Sequence, residues 1–129
     1  MKVSFPGGKK VQADYRGFTI TTDQSTASGG DGSAPSPFDL FLASIGTCTG
    51  YYIMAFCQQR NIPTDGIELT MDMVHNTQRH LIERIDVRVS LPEDFPDRYV
   101  AACIKAAEQC TVKRHLQEPP EIVLTAAKS

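Results

Sequence analysis

Ser36-Pro37-Phe38-Asp39-Leu40 opens a run that stays almost uncharged as far as Cys57, with Asp39 the single formal charge in the 20 residues from Phe38 to Cys57. Its start is well marked. Ser36 suits an N-cap, Pro37 the first helical position, and Asp39 the place of a capping-box acid. The spacing predicts a helix to about Gln59, stopped by Asn61-Ile62-Pro63. The run approaches the length that crosses a bilayer. Ser44, Gly46, Thr47, Thr49 and Gly50 dilute its middle, however, and both flanks read as β structure, so the expectation is a buried helix and no membrane partner. A helix apolar nearly all round needs cover on more than one face. One chain of 129 residues has little left to supply it, so a homodimer sharing this helix is expected.

Before the helix, Val11, Ala13 and Tyr15 alternate with polar residues. Phe18, Ile20 and Thr22 do the same after a turn at Arg16-Gly17. Residues 23–35 are rich in Ser, Gly and Asp and predict a loop. No Gly-Lys-Ser/Thr follows the glycines, so they are not a phosphate cradle. After the helix, Ile67, Leu69, Met71 and Met73 alternate on one strand, and Ile85, Val87, Val89 and Leu91 on the next. A loop through Asn76-Thr77-Gln78-Arg79 joins the two as a hairpin. Pro96 is predicted to open a second helix carrying Tyr99, Cys103, Ala106 and Cys110 on one stripe. Pro119-Pro120 ends it, and Ile122-Val123-Leu124 is predicted as a last strand. The order ββ-α-ββ-α-β, without repeats or linkers, predicts a single α+β domain over residues 1–129 with helices on antiparallel sheet.

The bulk properties exclude several functions. With 41% hydrophobic and 22% charged residues the chain has an ordinary globular composition. A net charge of -2 gives no reason to expect nucleic acid as a partner. Four cysteines are too few for a disulfide-stapled secreted scaffold, and Met1-Lys2-Val3-Ser4-Phe5 lacks a signal-peptide core, so a cytoplasmic location is expected. There is no Cys-x-x-Cys, no histidine pair at ligand spacing and no Gly-x-Ser-x-Gly. Zinc binding, thioredoxin-type exchange and serine hydrolysis therefore have no motif, and no cofactor is expected. His75 and His80 flank a polar hairpin loop and read as solvated, and His115 is as readily a surface residue as a neighbour of Cys110.

Thiols remain as the chemistry-bearing groups. Cys57 lies nine positions from Cys48, about 180° round the helix, so those two cannot pair. Cys103 and Cys110 share a predicted face two turns apart, too far for a bridge. Any intrachain disulfide must join the long helix to the second one. Cys48 lies twelve residues past the cap, roughly 18 Å along the axis and beyond the reach of the helix dipole. A cation from elsewhere would have to lower its pKa, with Arg16 and Arg114 the candidates. From spacing alone packing is the leading account of any one cysteine, because cysteine is among the most buried residue types.

Four segments together resemble one family. They are Thr21-Thr22-Asp23 leading into the Gly-rich loop, Ala34-Pro35-Ser36-Pro37-Phe38-Asp39-Leu40, Leu42-Ala43-Ser44-Ile45-Gly46-Thr47-Cys48-Thr49, and Ala106-Ala107-Glu108-Gln109-Cys110-Thr111-Val112. In this order they resemble the osmotically inducible protein C and organic hydroperoxide resistance (OsmC/Ohr) family. The resemblance implies an α+β fold with antiparallel sheets around central helices, an intertwined homodimer, and an interfacial site where two cysteines reduce organic hydroperoxides. It makes Cys48 the peroxidatic cysteine and Cys110 the resolving one, with a dithiol reductant as second partner, and leaves Cys57 and Cys103 to the core. Arg16 is the nearest match to the activating arginine. The chain departs from the hydroperoxide-reductase branch where Phe38 stands in the place of a glutamate that fixes that arginine. Asp39, one residue later and about 100° round the helix, is the acidic candidate, and its capping role already accounts for it. Thr111 replaces a proline that often follows the second cysteine. The chain thus reads as a divergent member. The competing expectation is a non-catalytic small-molecule-binding protein that kept the fold.

Overall fold

The computed structural model describes residues 1–128, which group into two compact units, residues 1–44 and residues from Ile45 onward. In the first unit β1 (Lys2–Gly7), β2 (Lys10–Tyr15) and β3 (Phe18–Thr22) form an antiparallel sheet in that order. Ile20 stands opposite Ala13, and Val11 opposite Thr22. Arg16 (φ 51°) and Gly17 (φ 81°) make the two-residue turn between Tyr15 and Phe18, both in the left-handed region that suits the twist of a hairpin.

The predicted loop over residues 23–35 holds, with one short 3-10 turn at Thr26–Ser28. It is organised by Asp23, which is fully buried. Its carboxylate accepts the Gln24 N–H at 2.8 Å, the Asp31 N–H at 3.2 Å, the Ser33 N–H at 3.1 Å and the Ser33 hydroxyl at 2.7 Å. Those bonds, led by the Ser33 hydroxyl, hold its pKa down at about 2. Gly30 closes the knot, since a Cβ there would lie 2.1 Å from Gln24 O.

Helix α1 (Pro37–Gln59) begins and ends as its sequence predicts. Asp39 Oδ2 accepts the Ser36 N–H at 3.0 Å, and Ser36 Oγ accepts the Asp39 N–H at 3.1 Å, a reciprocal capping box. At the far end Asn61 (φ 54°) turns left-handed and the Ile62 N–H reaches back to Cys57 O at 2.9 Å.

In the second unit β4 (Glu68–Asn76) and β5 (Leu81–Ser90) form the predicted hairpin, with Leu69 opposite Val89, Met71 opposite Val87 and Met73 opposite Ile85. The core gathers Ile53, Phe56 and Cys57 from α1 with Phe95, Cys103 and Ala107. Three expectations are corrected. The strands before α1 number three rather than two, β1 pairing with β2. The second helix is not continuous: after a 3-10 turn, α2 (Val100–Ala107) ends, and a separate helix α3 (Thr111–Gln117) follows. Cys110 therefore lies between helices rather than on the α2 stripe. Nor does Ile122-Val123-Leu124 form a strand. These side chains are 90%, 72% and 97% exposed, because an apolar β-branched run becomes a strand only with a ladder partner. The observed order is βββ-α-ββ-αα, an α+β fold with antiparallel sheets.

Candidate active site

Cys48 is half-buried on α1, two residues beyond Gly46, where an added Cβ would come within 2.8 Å of Met71 Sδ. That glycine sets how closely this turn of α1 lies against β4. One residue further, Thr49 Oγ1 donates to Ile45 O at 2.7 Å, which keeps its hydroxyl along the helix. One turn on, the Tyr52 hydroxyl meets Thr111 Oγ1 at 2.9 Å and ties α1 to the first turn of α3.

Cys110 is the N-cap of α3, with φ -47° and ψ 123°, and has no solvent exposure. Its sulfur stands where a serine or aspartate oxygen usually caps, and it accepts the Lys113 N–H at 3.5 Å. The Cys48 thiol is within hydrogen-bonding reach of the same sulfur. Burial pushes the Cys110 thiol up, but the donors around it outweigh burial. They are the Lys113 N–H, the Cys48 thiol, the Val112 N–H and the Thr49 hydroxyl, and the net shift is downward. Thr49 has one proton to give and two acceptors, so it serves Cys110 or Ile45 O at any moment.

The break between α2 and α3 makes this meeting possible. Cys48 and Cys57 point about 180° apart on α1, whereas a continuous second helix would put Cys103 and Cys110 on one face. Ending α2 at Ala107 lets Cys103 meet Cys57 while Cys110 turns to Cys48.

At Cys110 hydrogen-bond donors, two of them backbone amides, favour the sulfur anion. Arg114 meets Cys110 through its backbone, donating its N–H to Cys110 O at 3.0 Å. Arg16, in the other unit, lies with its guanidinium carbon 5.0 Å from the centroid of Tyr15. Asp39 is exposed and engaged in the capping box. Sequence reasoning missed the amides of Val112 and Lys113, together with Thr49 and the Tyr52–Thr111 link. The only cue was Thr49 following Cys48, because no glycine or proline marks the helix break.

Beside the cysteines lies a cavity of about 430 Å³ walled by Ile45, Thr49, Val87, Ile104 and Leu116, with Glu108 and Lys113 as its charged groups. Thr49 and Lys113 are common to the cavity and to the cradle of Cys110. The cavity suits an apolar molecule with a polar end. Among the described residues no cluster of three His, Cys, Asp or Glu side chains could hold a metal ion.

Residues 30–125 match the family model of OsmC-like protein. The fold is similar to that of a Psychrobacter arcticus 273-4 protein named for an osmotic stress induced and detoxification response. The two share 21% identity over 88% of this chain and 84% of that one, with a TM-score of 0.73. A structural-genomics structure is similar at 18% identity, with 92% and 88% of the two chains covered and a TM-score of 0.68. An organic hydroperoxide resistance protein OsmC from Legionella pneumophila matches at 18% identity over 88% and 91%, with a TM-score of 0.48, too low to bear on the fold. No curated protein matches the sequence.

Proposed function

The chain belongs to the OsmC-like family, and from that premise and the paired thiols we propose that it reduces organic hydroperoxides with Cys48 and Cys110 as its redox pair. Family membership supports a general role against oxidative stress. What carries the finer reading is the nearness of the two thiols, with Cys48 among the donors that favour the anion at Cys110.

Roles follow from exposure and hydrogen bonding. A peroxide must touch the nucleophile, and Cys48 is the accessible member of the pair while Cys110 is sealed. Cys48 gives its proton to the Cys110 sulfur and attacks the terminal peroxide oxygen. The O–O bond breaks, Cys48 becomes a sulfenic acid, and the alkoxide takes the proton back from Cys110 to leave as the alcohol. Cys110, again a thiolate, displaces hydroxide from Cys48, which leaves as water after picking up a solvent proton. A disulfide remains, and a dithiol reductant reopens it by exchange. The 430 Å³ cavity supports an apolar organic group on the substrate.

A homodimer belongs to the same proposal. Tyr51 and Met54 of α1 are 58% and 38% exposed, and the apolar run Ile122–Leu124 is open, so the chain has apolar surface that a second copy would cover. The test is consumption of cumene hydroperoxide with dithiothreitol as reductant. Turnover by the wild type that Cys48→Ser abolishes supports the reading, and undiminished turnover in Cys48→Ser refutes it.

A further inference from the structure

We infer that Cys57 and Cys103 form a second redox centre, a buried dithiol that an organic hydroperoxide slowly closes into a disulfide tying α1 to α2. Both side chains have 0% exposure and pack within one core cluster with Ile53, Phe56 and Phe95. Each thiol lies close enough to act on the other's proton, Cys103 as the donor toward Cys57. Two cysteines packed in one cluster, one on α1 and one on α2, need only a small approach to bond.

A cation and a neighbouring cavity accompany the pair. The Arg60 guanidinium, one turn beyond Cys57, has its carbon 3.7 Å from the Phe56 centroid and 5.5 Å from that of Tyr99, and its Nη1 donates to Phe56 O at 3.1 Å. Held there, it favours the anion at both sulfurs, although burial dominates and raises both thiols. Arg60, Phe95 and Tyr99 also wall a cavity of about 470 Å³, and Phe95 belongs to the cluster that holds both cysteines.

In the reaction Cys57, deprotonated during a local opening, attacks the terminal peroxide oxygen and becomes a sulfenic acid as the alcohol leaves with its proton. Cys103 then displaces water and the sulfur–sulfur bond closes. Two thiol hydrogens and one hydroperoxide become one disulfide, one alcohol and one water. Because raised pKa values and burial oppose the first step, this pair closes only under sustained oxidation, after the Cys48–Cys110 pair. The cross-link then holds together the core on which α1 rests.

The experiment exposes reduced wild type and Cys48→Ser to excess cumene hydroperoxide for minutes and for hours, blocks free thiols in denaturant, and maps non-reduced tryptic peptides. Cleavage at Arg98 and Lys105 leaves Cys103 in 99–105 and Cys110 in 106–113, so the two possible links to peptide 17–60 are distinct. The expected result is a slow 17–60/99–105 link in both proteins, with Tm raised on the order of 10 °C relative to the reduced form. Recovery of Cys103 as the alkylated thiol or as a sulfinic acid, without that link, overturns the inference. It does so whether or not Cys48 and Cys110 bond, so the two proposals fail separately.

Discussion

Cys110 and the Cys57–Cys103 pair are equally hidden from water, at 0% exposure, yet their thiols shift in opposite directions. At the inner pair burial dominates and raises both groups; Cys57 is offered only the Cys103 thiol and a flanking arginine, and Cys103 only the arginine. At Cys110 burial is opposed by two N–H groups at the start of α3, by Cys48 and by Thr49. Donor supply, not exposure, decides which thiol gives up its proton. The donors at Cys110 exist because the chain stops one helix and starts another there, leaving amides without helical partners. Cys103, in the middle of α2, has no such amides to use.

The largest effect that bears on this contrast is at the outer pair. Cys110→Ser removes both the proton acceptor and the resolving thiol, so the Cys48 sulfenic acid should form more slowly and then persist, trapped by dimedone in intact-mass spectra, while turnover falls by about 10³-fold or more. Rapid turnover without a trapped intermediate would remove Cys110 from the cycle. Cys103→Ala should do the reverse. It leaves initial turnover near wild type while costing about 1–2 kcal/mol of stability through lost core packing, read by urea unfolding. A large loss of turnover would mean the two pairs act as one system.

Stability against pH separates the pairs by sign. The folded pKa of Cys110 lies below the ordinary 9.0, so its contribution is full above 9.0 and is lost as pH falls through the folded value. Cys57 and Cys103 have folded values above 9.0, so their contribution is full below 9.0 and is lost as pH rises through those values. Melting temperatures across this range should lose the first dependence in Cys110→Ser and the second in a Cys57→Ala, Cys103→Ala double variant. The smallest effect belongs to Thr49→Val, which removes one of several donors. Turnover should fall about 2–5-fold, with the thiolate appearing at higher pH in ultraviolet absorbance. No movement of that titration would assign the Thr49 proton to Ile45 O alone.

Much of the frame was legible in the chain. Ser36 and Asp39 announced the capping box, Asn61 the left-handed stop, and the alternation from Ile67 to Leu91 the β4–β5 hairpin, because each is a local rule satisfied by neighbours in sequence. The need to join α1 to the later helical segment followed from helical angles alone. The place of Cys110 was not legible. Residues Glu108-Gln109-Cys110-Thr111 contain no breaker, so propensity carries the helix straight through, whereas the chain ends α2 at Ala107 and starts α3 at Thr111. For the same reason the amide donors to Cys110 were not legible, since backbone amides become available only where a helix starts. Ile122-Val123-Leu124 misled in the other direction, with strand propensity but no adjoining strand.

The most direct measurement oxidises reduced protein with one equivalent of cumene hydroperoxide for seconds, blocks free thiols and maps the non-reduced tryptic peptides. The expected product has residues 17–60 joined to 106–113, with cleavage after Tyr52 placing the bond at Cys48, while Cys57 and Cys103 remain blocked thiols. Free thiols at Cys48 and Cys110 after the peroxide has been consumed would contradict it.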